Sequence, residues 1–260
     1  MLEAYKEGED QLGKAVSALS LGWGLGTMTV AFLPYQPLYS LSFAFGSVMV
    51  FLAVSKEPAK SGLLAAVPKL LPLLPPLALF MGAEYVVYAL TALRFYEATN
   101  RIGFALAYAV GPSLTAALGG YVAGKALRKL GAERLFLISV IAYIPVTLLA
   151  LASPPPICLV AWSIPVYPFY EVSLVALVSK FVPEAPASAL GLTYTTMSIA
   201  SIVAIPFTRI KSFRTVAIYT SIAMVLSAIF IKLSFRALRT PRRSRDRREF
   251  HTSPYDSSTR

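Results

Sequence analysis

From Leu135 to Tyr170 the chain carries no charged side chain, and several other stretches of about 20 residues are nearly as bare. That feature constrains the fold more than any other. A helix rises 1.5 Å per residue, so about 20 apolar residues cover the ~30 Å hydrocarbon core of a bilayer, where each segment must satisfy its own backbone polar groups. Charged residues are 14% of the 260, against roughly 25% in soluble domains, and 56% of the residues are hydrophobic. The expected fold is therefore all-α and polytopic, with about eight transmembrane helices. Their ranges are Leu12 to Leu33, Leu38 to Val54, Leu70 to Leu93, Ile102 to Gly124, Leu135 to Ala152, Ile157 to Phe181, Ala187 to Phe207 and Phe213 to Phe235.

Eight spans put both termini on one side, and positive charge selects that side. Of the 24 Lys and Arg residues, 19 fall in one alternating set of connections and the tail, while Arg94, Arg101, Arg209, Lys211 and Arg214 fall in the other. Cytoplasmic termini in a multi-pass cell-membrane protein follow. The three cations of residues 208–214, TRIKSFR, run against that pattern. Residues 1–11 are acidic and polar and read as a loop, not a secretory signal. The net charge of +11 is concentrated towards the tail, and it reads as orientation and attraction to anionic lipid rather than nucleic-acid binding.

Residues 124–134, GKALRKLGAER, hold a dense cluster of charge. The pattern of Gly124, Arg128, Lys129, Gly131 and Arg134 resembles the cytoplasmic loop motif of the major facilitator superfamily, G-x-x-x-D-R-x-G-x-R. Its glycines allow a tight turn and close helix contact. Arg128 stands where that family usually has Asp, which puts the family's gating latch in doubt. The stretch 181–206, FVPEAPASALGLTYTTMSIASIVAIP, resembles the family's turn into its penultimate helix, and residues 8–28, GEDQLGKAVSALSLGWGLGTM, resemble the equivalent turn one repeat earlier.

The resemblance implies helices 5 to 12 of a twelve-helix transporter with the first four missing. Residues 1–55 would be the end of the N-terminal bundle, 56–69 a central cytoplasmic loop, 70–236 the C-terminal six-helix bundle, and 237–260 a disordered basic tail. A membrane partner chain could supply the missing helices.

A carboxylate at the centre of a span costs about 2.5 to 3.5 kcal/mol on insertion scales, so it asks for a reason. Glu84 and Glu171 occupy such positions. They are the candidates for proton coupling or substrate contact; alternatively each merely hydrogen-bonds a neighbouring helix. Met81, Tyr88 and Thr91 share a helical face with Glu84, as Tyr167 does with Glu171, and these four are expected to line a cavity. The family resemblance implies that both glutamate-bearing helices border the central cavity. Pro165 and Pro168, one turn before Glu171, are candidates for a bend.

No chemistry-bearing constellation accompanies them. The sequence has no phosphate-binding Gly-Lys-Ser loop, no ligand cluster for a metal and no nucleophile paired with a base, so neither catalysis nor a cofactor is expected. Cys158 is expected to be a packed core residue, and His251 lies in the polar tail. The expected function is secondary active transport of a small, unidentified solute. The alternative is a non-transporting or truncated subunit that needs its partner.

Overall fold

The computed structural model describes residues 1–32, 62–99, 103, 105–210 and 212–249, and among these there is no strand. The helices are α1 (Leu2–Lys6), α2 (Glu9–Phe32), α3 (Gly62–Leu70), α4 (Leu74–Ala98), α5 (Gly111–Leu130), α6 (Ala132–Ala152), α7 (Pro155–Trp162), α8 (Val166–Phe181), α9 (Pro186–Ala204) and α10 (Phe213–Glu249). A π-helical stretch, Ala105–Val110, leads into α5, and a 3₁₀ turn, Ile205–Arg209, follows α9.

Among the described residues, six helical segments are long and apolar enough to cross a membrane: Leu74–Ala98, Leu106–Leu130, Ala132–Ala152, Pro155–Phe181, Pro186–Arg209 and Phe213–Leu238. The molecule is a multi-pass helical membrane protein on that basis. Helix α2 overlaps the first expected span as far as Phe32 and starts three residues sooner, but it is not among these six. The expected second span at 38–54, along with Lys56, Lys60, Arg101, Lys211 and His251, lies outside the described residues.

Helix α8 is the axis of the bundle. Every residue from Tyr170 to Ser179 is buried, as expected of a helix apolar all round, because α5, α6, α9 and the start of α2 pack around it. The outer helices instead turn large apolar side chains outward, with Leu118 73% exposed and Val203 67% exposed. Such a surface suits lipid, where tails cover what water would reject.

Several boundaries differ from expectation. The first residues are not a loop, since α1 and the start of α2 occupy them. Part of the expected central loop is helical, because Gly62–Leu70 forms α3 with Pro68 inside it. The basic tail continues α10 as helix to Glu249, which Arg, Leu and Glu all favour. The fourth span is displaced towards the C terminus and runs to Leu130, so Gly124, Arg128 and Lys129 are helical rather than in a loop. Only Gly131, at φ +76°, makes the turn, in a conformation that favours glycine.

Proline accounts for the irregular backbone. Pro112 has no N–H to give the Tyr108 carbonyl four residues before it, and the Trp162 indole N–H donates to that carbonyl instead at 3.1 Å. Pro154 likewise frees the Ala150 carbonyl, which accepts from Arg94 Nη1 at 2.9 Å and from the Cys158 thiol at 2.9 Å. Cys158 is fully buried.

Polar ties mark the two ends of the bundle. At one end Arg128 pairs with Asp10 at 3.2 Å, Lys180 with Glu133 at 3.3 Å, and Lys69 with Glu184. At the other, Arg94 also reaches the Ser153 carbonyl and lies over the Phe213 ring at 5.7 Å.

Candidate functional site

Four helices each contribute to one half-open cavity of about 260 Å³. Helix α4 supplies Phe80, Met81 and Glu84, three positions on one face at helical spacing. Helix α8 supplies Tyr167, Tyr170 and Glu171, helix α9 supplies Tyr194, Met197, Ser198 and Ser201, and helix α6 supplies Tyr143. Two carboxylates from separate helices thus face one space.

Their surroundings differ. Glu171 is 4% exposed, and the Tyr194 hydroxyl donates to its Oε1. Glu84 is half-buried and has neither a hydrogen bond nor an ion pair among the described residues. The Tyr170 hydroxyl points at the Met81 and Met197 sulfurs, at 3.4 and 3.9 Å, so it makes only weak bonds of its own. Its ring stacks on Phe80 at 5.1 Å, meets Phe136 at 5.2 Å, and meets Tyr143 edge-on at 6.2 Å. Rings locked by one another make a stiff wall.

The proline pair borders this cavity. The span expected to run unbroken from Ile157 to Phe181 is interrupted: α7 ends at Trp162, and α8 starts at Val166 with Pro165 as its cap residue. Pro165 and Pro168 pack on Gly119 of α5, where an added Cβ would lie 2.8 Å from the Pro165 ring. Pro168 is therefore in the first turn of a new helix rather than at a bend within an old one, and Tyr167 and Glu171 follow directly.

Not every expected residue reaches the cavity. Tyr88 packs with Tyr108 at 5.3 Å and Trp162 at 5.7 Å in a separate aromatic cluster. Thr91 is fully buried, one turn further on, with no partner for its hydroxyl among the described residues. Both share a face with Glu84, but at depths the cavity does not reach. Conversely, Tyr143, Tyr194, Met197, Ser198 and Ser201 line it without having been singled out, since no spacing within one helix links them to either glutamate.

The motif residues lie at the end marked by the ion pairs. Gly124 and Gly120 let α5 touch α2: a Cβ on Gly124 would come within 2.5 Å of the Glu9 carbonyl. Arg128 pairs with Asp10, whereas Lys129 and Arg134 are exposed. No group of three or more metal-ligating side chains gathers among the described residues.

No family model matches the chain, and neither the curated proteins nor the solved structures yield a match.

Proposed function

We propose that the chain is a membrane permease that moves a small solute by alternating access, with Glu84 and Glu171 carrying a coupling proton. The observation behind this reading is the convergence of two carboxylates, from helices α4 and α8, on one tyrosine-lined cavity inside an apolar bundle. Acids are retained at such positions when they serve a path, because lipid offers them nothing. Helices interrupted beside a site, as at Pro165, supply the joints for rocking one part of a bundle against another. The arrangement of the major facilitator superfamily, with both termini cytoplasmic, belongs to this proposal and rests on the residue patterns alone.

The test uses the whole chain in proteoliposomes that enclose a pH-sensitive dye. Amines, amino acids, sugars and carboxylates are added in turn. The expected outcome is a solute-evoked proton flux that is at least tenfold slower in both Glu84→Gln and Glu171→Gln. Flux unchanged in both variants, or absent for every solute, refutes the reading.

One observation favours a second reading. The cavity is half-open, and Tyr167 on its wall is 39% exposed. In that case a partner membrane chain closes the open side, and the chain alone does not transport. Gentle detergent extraction followed by light scattering distinguishes the two: a mass above that of one chain favours the partner.

A further inference from the structure

The cavity's lining has a sign. Among the described residues it holds two carboxyl groups, four tyrosines, two serines and three apolar side chains, with no Lys, Arg or His; outside the lining, the amino terminus lies within electrostatic reach of Glu171. A half-open site inside an apolar bundle, lined by acids and by no basic side chain among the described residues, is matched by a positive ligand, since an opposite charge favours the ionised carboxylate that receives it. The glutamates are not already saturated: Glu171 accepts from Tyr194 through Oε1 alone, and Glu84 has no hydrogen-bond partner among the described residues.

The remaining surface fits the same answer. Tyrosine faces carry negative potential and attract an ammonium group directly. Tyr143, Tyr167, Tyr170 and Tyr194 line the same cavity as both carboxylates, so a cation held between the acids lies beside aromatic side chains. The Met81 and Met197 thioethers and the Phe80 ring offer soft apolar contact for a carbon skeleton. At about 260 Å³ the space falls just under the ~300 Å³ where pockets for drug-sized molecules begin, which limits the ligand to a compact one.

We propose that the ligand of this cavity is a small organic cation, an ammonium group on a compact apolar or aromatic body, held between Glu84 and Glu171 with its body against the tyrosine wall. This inference deepens the permease reading but concerns binding, which can be measured without transport.

The experiment is titration calorimetry on the purified full chain in neutral detergent at pH 7.5, with three probes of similar shape. They are phenethylamine, which is positive at that pH, 2-phenylethanol and 3-phenylpropionate. Saturable binding of the amine is expected, at least tenfold tighter than the alcohol, with no binding of the carboxylate. Glu171→Gln and Glu84→Gln should each weaken the amine at least tenfold while leaving the alcohol unchanged. Should Glu171→Gln fail to fold, Glu84→Gln decides, with Thr91→Val outside the cavity as a control that binds normally.

Equal affinity for the three probes, tighter binding of the carboxylate, or full amine binding by the folded glutamine variants overturns the proposal. So does the failure of phenethylamine, choline and tetramethylammonium all to bind. Amine binding without proton flux in the vesicles would sink the permease reading and leave this one standing. Flux without amine binding would do the reverse.

Discussion

Two contacts in this bundle solve the same problem in opposite ways. Where α2 meets α5, side chains have been removed: Gly13, Gly120 and Gly124 let backbones touch, and the Ser17 hydroxyl bridges the seam to the Ala117 carbonyl at 2.6 Å. Where α4, α6, α8 and α9 meet, large rings hold the helices apart and leave a polar space between them. Lipid supplies no hydrophobic drive for helices to associate, so the seam must gain by close packing and the cavity by mutual ring contact and a hydrogen bond to a buried acid. The lesson is that the glycine seam has no slack and the cavity has some. Substitutions should separate them.

The largest effect is expected at the seam. Gly124→Ala places a Cβ 2.5 Å from the Glu9 carbonyl and 3.3 Å from Asp10 Cα, both backbone atoms that cannot turn aside. The helices must part, at about 1–3 kcal/mol. Gly13→Ala meets the Gly120 carbonyl at 2.5 Å and should behave alike. By contrast, a Cβ at Gly191 meets nothing within 4 Å, so Gly191→Ala should be neutral or slightly stabilising. Thermal unfolding in detergent measures all three, and equal midpoints would remove the seam's claim to tight packing.

A middling effect is expected in the cavity. Tyr194→Phe deletes the one donor that reaches Glu171 among the described residues and should lower stability by about 1 kcal/mol, the usual scale of such bonds within membranes. Glu171→Gln keeps an acceptor for that hydroxyl and should unfold later than Tyr194→Phe. In the double variant the loss should differ from the sum of the two, because both changes act on the same hydrogen bond. Additive losses would mean that Tyr194 and Glu171 act separately.

The contrast between seam and cavity also governs how much could be read from sequence. Spans are legible because an apolar run of bilayer length has few other uses, and Glu84 and Glu171 are legible because an acid in such a run is expensive. The glycine contact at Gly124 was visible as a small residue in a motif. Tyr143 and Tyr194 were not visible: each lies in an apolar helix where a lipid-facing tyrosine would look the same, and only the packing of α6 and α9 onto α8 turns them inward. Tyr88 and Thr91 erred in the other direction, since face is periodic in sequence while cavity depth is not. Pro165 and Pro168 signal disruption in the sequence without saying whether the helix continues, and the structure places a break at residues 163–165.

The smallest effect lies at the Lys69–Glu184 pair, where both side chains are substantially exposed. Lys69 donates to Glu184, and this bond holds the Glu184 carboxyl below its ordinary value of 4.5, helped by a backbone hydrogen bond. Because the folded value is the lower one, the pair's contribution is present above pH 4.5 and fades as pH falls through the folded value and Glu184 takes up its proton. Both side chains are substantially exposed, so the contribution is slight and screened by salt. Glu184→Gln should therefore unfold marginally earlier than the parent chain at pH 7 in low salt. The gap should close at high salt, and also once pH falls below the depressed value, where the parent has lost the same charge. A gap that persisted under both conditions would mean that Glu184 matters through the shape of the α8–α9 turn rather than through its charge.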